Sequence, residues 1–436
     1  MMKKRLKKLL SMAMAVTMMA AVALTGCGGN DQKESNNGGN TVVDTENGGG
    51  QDTPAPADVD TYGIDKTAKI GVLVSDASTA EAVGFRAYYE DYLANQYDIE
   101  FIYSEELADA EGEIGAIENF ISQGCNAVIS FSSFDRPGQI ETCDAAQLYY
   151  AVATGVLTDE QYETYKGYEY YVGSIGPSLQ EEFDTGYAMA EHFIGKGDNN
   201  FLIFGGAAAY GTEMHIYRVA GMLAAMCAAD ESGATTYDGV TDQDGIIGAI
   251  YSSMGVDPSK LSGDMFTISY VQGYNMDDAW FGEIAEKVNT PGVQAVLAVG
   301  NGSDFFSAMA PEGVEIASVD TFVEDYKTAM DNNQLHYMAG KFAPSNGPIV
   351  VAVLNALNGA PIRTADGSAF TINQGYWVAT SADECATYLE AGSVESPAYT
   401  KDILDKYVST SENVVSFDEF EAFVGAYSYE EIQALK

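Results

Sequence analysis

The chain is poor in basic residues: 21 Lys and Arg stand against 64 Asp and Glu in 436 residues. Five of those 21, Lys3, Lys4, Arg5, Lys7 and Lys8, crowd the extreme N-terminus. So acidic a surface has little with which to release counterions from nucleic acid or to hold anionic headgroups, and neither is expected as a partner. Histidine is scarcer still, with His192, His215 and His336 dispersed and no H-E-x-x-H pairing, so no structural metal and no cofactor are implied. Of the five cysteines, Cys125, Cys143, Cys227 and Cys385 are scattered through apolar segments without C-x-x-C spacing, which favours small buried thiols over a disulfide frame. There is no G-x-S-x-G, and Gly205-Gly206 lacks the Lys-Ser/Thr of a phosphate loop, so catalysis finds no motif. After residue 27 no apolar run is long enough to cross a bilayer.

What is present begins with a leader: a basic start, an apolar run over 9–23 and then Leu24-Thr25-Gly26-Cys27. The run is too short to span a membrane and reads as a secretory signal over 1–26. Leu-Thr-Gly-Cys resembles the lipobox of bacterial lipoproteins, which implies lipidation of Cys27 and anchoring to the outer face of the cell membrane. Residues 27–64 are rich in Gly, Asn, Asp, Thr and Pro, with Gly48-Gly49-Gly50 and Pro54-Ala55-Pro56, and read as a flexible tether.

From Lys69 the chain alternates short apolar β-rich runs with helix-period stretches, the pattern of an α/β protein with parallel sheets flanked by helices. The pattern predicts strands over 70–74, 99–103, 127–131, 149–153, 201–204, 265–271, 295–299, 316–319 and 337–342. Helices are expected over 79–95, 113–123, 179–195, 217–229, 276–289 and 325–332. Ser416 and Glu419 have the spacing of a capping box for a late helix over 416–425, and 377–380 suits a last strand. In open sheets of this kind ligands lie beyond the carboxyl ends of the strands. The residues there are Ser75-Asp76, Ser132 to Arg136, Gln272 to Asn275, Gly300 to Asp304 and Asp320 to Phe322: carboxylates, amides and aromatics with few bases.

Several landmarks recur in one order: Lys69 to Val74, Ile117 to Ile129, Tyr171-Val-Gly-Ser174, Arg218-Val-Ala-Gly221, Asn301, Ser318-Val-Asp320 and a late helix over 347–359. In that order they resemble the type I periplasmic-binding-protein family, the solute receptors of bacterial ABC importers, near its sugar-binding branch. The resemblance covers roughly residues 66–375. It implies two similar α/β lobes on a three-strand hinge, lobe I at 66–174 plus 341–372 and lobe II at 175–340 plus 373–436, closing over a ligand.

The resemblance also implies ligand roles for Arg218, Asn301 and Asp320. A guanidinium fork suits adjacent oxygens, while a carboxylate accepts two hydroxyl hydrogen bonds. The alternatives are a salt bridge from Arg218 to Glu213, a turn role for Asn301 and a helix cap for Asp320. In the other lobe Phe134 and Asp135 offer a stacking face beside an acceptor, or a core residue and a helix cap. Asp76 ends the first strand, but Ser75-Asp76-Ala77 has none of the stacking aromatics that sugar-binding members carry there. Lys341 falls near a hinge position where members carry Gln, and pairs with an anionic ligand, with an aspartate or with solvent. Tyr210 and Tyr274 are candidate wall residues on loop grounds.

The expected function is therefore a lipid-anchored, extracytoplasmic solute-binding protein without enzymatic activity. It would capture a small polar molecule, foremost a carbohydrate, and deliver it as a monomer to an ABC permease. A nucleoside or other non-sugar ligand, and a sensor rather than a transport role, remain alternatives; an extracytoplasmic glycosidase with paired carboxylates is the enzyme reading.

Overall fold

The computed structural model describes residues 67–74, 77–205, 213–410 and 413–436. Cys27, Asp76 and Tyr210, with the leader and tether, lie outside the described residues.

Among the described residues twelve strands form two six-stranded sheets. They are β1 (Ala68–Leu73), β2 (Ile99–Tyr103), β3 (Ala127–Ser130), β4 (Tyr149–Ala153), β5 (Tyr171–Gly176), β6 (Asn200–Gly205), β7 (Thr267–Gln272), β8 (Ala295–Ala298), β9 (Glu315–Thr321), β10 (Tyr337–Lys341), β11 (Phe370–Asn373) and β12 (Trp377–Ala379). One sheet has the order β11-β5-β4-β3-β1-β2 and the other β12-β10-β9-β8-β6-β7. Every pairing is parallel except that of β10 with β12. The central strands β3 and β8 are buried at every position, as their unbroken apolar runs require of a sheet covered on both faces. The two sheets are the cores of two α/β lobes with the type I periplasmic-binding-protein arrangement, the first sheet in lobe I and the second in lobe II.

The helices begin where short polar side chains cap them. Thr79, Asp109, Ser178 and Asp277 each accept from the backbone of the first turn, and Ser416 and Ser428 form full capping boxes. Part of the acidic excess is used here: Glu81, Glu111, Glu181 and Glu182 occupy first turns, where the helix dipole favours negative charge. The four cysteines of the body are reduced and buried.

The chain passes between the lobes three times: after β5 into helix Leu179–Lys196, after β10 into helix Gly347–Leu357, and from β11 to β12. It then passes a fourth time. Helix Ala382–Ala391 packs on β12 and on helix Glu324–Asp331, with Tyr388 against Phe322. The segment after it returns to lobe I, where Tyr88 donates to Tyr399 O at 2.7 Å, Tyr97 donates to Asp405 Oδ1 at 2.8 Å and helix Phe417–Gly425 lies on β11. Residues beyond 376 are thus shared by both lobes rather than held by lobe II alone.

Two departures from the expected elements have simple causes. Strand β11 alternates buried and exposed over four residues, too short for its period to register against a Gly- and Ser-rich surround. Helix Gln243–Ser252 carries Gly245 and Gly248, which weaken a helical pattern in sequence but are tolerated where Ile246, Ile247 and Ile250 are buried.

Helices Leu179–Lys196 and Glu213–Ala229 touch backbone to backbone. A Cβ on Gly186 would lie 1.9 Å from Arg218 O, and one on Gly221 would lie 2.0 Å from Phe183 O. Gly221→Val forces these helices apart and is expected to lower unfolding free energy by about 3 kcal/mol or more. Urea denaturation read by circular dichroism checks it; a midpoint within error of the parent contradicts the packing described.

Candidate functional site

The carboxyl ends of both sheets face the space between the lobes, and polar side chains gather there mainly from lobe II. Arg218 stands on helix Glu213–Ala229 and is only 5% exposed. The close approach at Gly186 and Gly221 brings it beside Glu182, to which its Nε donates at 2.6 Å. Its Nη1 donates to Val299 O and its Nη2 to Tyr376 OH at 2.7 Å, while Tyr376 donates in turn to Glu182 Oε1 at 2.9 Å. Burial pulls the guanidinium toward neutrality, but Glu182 and Tyr376 more than offset it, so Arg218 is held charged above its usual value. Burial, with the Arg218 charge adding to it, pushes the neighbouring His215 down to about 3, keeping its imidazole neutral. Arg218 thus ties two lobe II helices, the end of β8 and the segment between β11 and β12 together. Its ion-pair partner is Glu182 rather than Glu213.

A second group forms around Asp320 at the end of β9. Asp320 accepts from its neighbour Thr321 N at 2.9 Å and from Tyr326 OH at 3.0 Å, and Tyr326 also reaches Asp304 Oδ2 at 3.4 Å. Asn301 donates to Asp304 Oδ2 at 3.1 Å from the turn before helix Gly302–Phe306. Burial, reinforced by the charge of Glu81, raises the Asp320 carboxyl to about 6. Burial also raises Asp304, against the hydrogen bonds from Asn301 and Tyr326. Tyr274 is raised by burial as well, with Arg218, Asp320 and Asp304 all acting on it. Its ring packs on Phe204 and Phe305, with centroids at 5.3 Å and 6.0 Å.

Lys341 ends β10 and reaches across to lobe I. Its ammonium lies 3.5 Å from Glu81 on helix Ala80–Ala87 and 5.6 Å from the centre of the Tyr376 ring. Beside it, where β4, β5 and the crossing segments meet, lies a pocket whose walls include Thr154, Lys341, Phe342, Ser345, Asn346 and Gln374. Thr154 has a φ of 59°, a left-handed backbone that a β-branched residue adopts only at a cost of about 1–3 kcal/mol, of the kind stored at ligand sites.

The expected site residues therefore divide. Arg218, Tyr274, Asn301, Asp320 and Lys341 fall in one connected neighbourhood. Asp135 caps helix Arg136–Ala145 through Gly138 N at 3.1 Å, and the backbone N–H groups of Phe134 and Asp135 donate to Glu113 at 3.0 Å and 2.8 Å. The Phe134 ring is 54% exposed on lobe I. Sequence reasoning missed Glu81, Glu182, Thr154, Tyr326, Gln374 and Tyr376. Of these only Thr154, the residue directly after a predicted strand, carried a local signal. Among the described residues no group of three or more His, Cys, Asp and Glu is placed to hold a metal, and no helix is long and apolar enough to cross a membrane.

No family model matches the chain, and no curated protein matches it. Solved structures do. The chain is similar to an ABC transporter periplasmic solute-binding protein from Actinobacillus succinogenes 130z with bound D-allose: 16% identity, TM-score 0.53, covering 74% of this chain and 100% of that one. It is also similar to an ABC transporter solute-binding protein from Bacillus halodurans C-125 with bound myo-inositol, at 17% identity and TM-score 0.51, covering 75% and 99%. A third likeness is to the fructose-binding periplasmic domain of a hybrid two-component system, at 12% identity and TM-score 0.51, covering 78% and 97%. At these identities the likeness establishes the fold.

Two outcomes follow from the buried charges. Glu182→Gln leaves the Arg218 guanidinium buried without its counter-charge and is expected to cost about 3–5 kcal/mol in urea unfolding; a loss under 1 kcal/mol would sink this account of Arg218. Asp320 binds its proton more tightly folded, near pH 6, than unfolded, near pH 4, so its contribution to stability falls as pH rises through that window and is level above it. Asp320→Asn is expected to flatten that slope and to gain roughly 2 kcal/mol relative to its own pH 4 difference by pH 7. Parallel pH–stability curves for parent and variant would contradict it.

Proposed function

We propose that this chain is an extracytoplasmic receptor that captures a small polyhydroxylated molecule, a sugar or cyclitol, between its lobes and delivers it to an ABC permease. In this reading Cys27 carries the lipid anchor and the tether after it lets a monomeric body reach its membrane partner. The observation that carries the reading is the interlobe pocket: its walls are mostly neutral hydroxyl, amide and apolar groups, and Asp320 lies next to it, paired in register with Gly340 beside the wall residue Lys341. Similar folds with bound D-allose and myo-inositol support that ligand class. Affinity comes from hydroxyl hydrogen bonds made in a closed, water-poor cleft, with closure as the conformational output. No bond is made or broken: the charged groups are engaged with one another, Arg218 with Glu182 and Lys341 with Glu81, rather than set as nucleophile and base.

Asp320 is assigned to accept ligand hydroxyls, with Asn301 and Tyr326 holding the carboxylates in place. Tyr274, Thr154 and Gln374 are assigned to the walls, and Phe134 to the lobe I rim above Asp135. Arg218 acts through Tyr376 and Glu182 as a positioning residue for the crossing segment. A sensor role is the second reading, favoured by the likeness to the fructose-binding domain of a two-component system.

Thermal unfolding of the full chain in the presence of D-allose, D-galactose, L-arabinose, myo-inositol, nucleosides and amino acids tests the ligand class. A ligand at 100 times its dissociation constant adds about 2.7 kcal/mol, a shift of several degrees. Stabilisation by sugars or cyclitols is expected, and Asp320→Ala is expected to weaken the best of them by tenfold or more in calorimetry. A response to nucleosides or amino acids alone would retire the carbohydrate assignment. Uptake of the labelled ligand with and without the partner permease separates transport from sensing.

A further inference from the structure

Lys341 is the one ionised side chain among the described walls of the interlobe pocket. It sits where three crossing segments converge, held over the Tyr376 ring at 5.6 Å, with its side chain 20% exposed. An ammonium has three donors, and among the described residues this one makes a single hydrogen bond, to Glu81 Oε1, stretched to 3.5 Å. Among the described residues Lys166 and Lys327 hold their carboxylates at 2.7 Å, while Lys341 shares with Lys287 the longest lysine contacts, at 3.4–3.5 Å. In a chain so short of bases, a cation has been placed at the floor of the cleft and left poorly satisfied.

Among the described residues the other nearby carboxylates are engaged elsewhere, Glu181 with Asn373 Nδ2 at 3.1 Å. Glu182 is committed to Arg218 and Tyr376, and Asp320 to Thr321 and Tyr326. Neither lines the pocket, whose polar walls beside Lys341 are the neutral Thr154, Ser345, Asn346 and Gln374. Neutral donors and acceptors suit ligand hydroxyls, and a lone ammonium suits one negative group.

We propose that the pocket takes a polyhydroxylated ligand bearing one anionic group, a carboxylate or a phosphate ester, seated on Lys341 in place of Glu81. This rests on the reading of the cleft as a sugar site and names the class within it. The Lys341–Glu81 contact then has a second role: it joins lobe II to lobe I while the pocket is empty, and the ligand's anion takes over the lysine as it enters. Glu81 is the competitor and Lys341 the selector.

Calorimetry on the full chain tests this with six probes: D-galacturonate and D-glucuronate, the neutral D-galactose and D-glucose, and the phosphate esters D-galactose 1-phosphate and D-glucose 6-phosphate. At least one anionic probe is expected to bind tenfold or more tighter than its neutral parent, and whether uronates or phosphates win identifies the group. Lys341→Met should erase that preference, Lys341→Arg should retain most of it, and Glu81→Gln should tighten the anionic probe threefold or more while leaving the neutral one unchanged. Ligand-free melting curves of each variant confirm that it folds. Neutral sugars binding as tightly as anionic ones would overturn this inference and leave the sugar receptor intact; no binding by any of the six would overturn both.

Discussion

The buried contact among Arg218, Glu182 and Tyr376 is the constraint around which the cleft is arranged. It demands that two helices approach to backbone distance, which only Gly186 and Gly221 permit, and it fixes the segment between β11 and β12 against lobe II. Replacing such a charged triad by apolar residues often costs nothing in stability, so its value here is better sought in position than in energy. It holds Tyr376 where that ring underlies Lys341 and where Arg218 lies near Tyr274. Three elements distant in sequence are thereby registered at the edge of one cleft.

The electrostatics of the cleft follow from scarcity. With few bases to distribute, the molecule leaves Asp320 and Asp304 buried with hydrogen bonds but no cation of their own, so both hold protons more readily than exposed carboxylates do. The two cations at the site are each answered by a carboxylate, Arg218 tightly and Lys341 loosely. That difference in quality separates a scaffold charge from one available to a ligand.

Most of the architecture was legible because parallel strands buried on both faces are continuous apolar runs: β2 and β4 coincide with the expected spans, and most of the others differ by a residue or two at their ends. Strand-end position, with the family resemblance for Asn301 and Asp320 and the hinge position for Lys341, pointed to Asp320, Asn301, Tyr274 and Lys341, which the structure places at or just after strand ends. It did not reach their partners. Glu182 and Tyr376 lie 36 and 158 positions from Arg218, and no local pattern relates residues at such separations. Asp135 shows the opposite difficulty: a carboxylate three residues before Gly138 is a helix cap by local chemistry, and its nearness to a strand end does not alter that use. The fourth passage between lobes was illegible for a related reason, since its ring contacts with Phe322 and Phe370 and its hydrogen bond from Tyr88 are defined by packing rather than by period.

That fourth passage governs the order in which the molecule is completed. Lobe I draws on residues near 68–176, then 347–373, and finally 398–425, so its last wall arrives after all of lobe II has been made. The bond from Tyr88 to Tyr399 closes a separation of 311 residues, among the costliest loops for the chain to form and among the latest to be rewarded. An unfinished chain therefore keeps Tyr88, Tyr97 and one face of helix Gly347–Leu357 uncovered until synthesis ends.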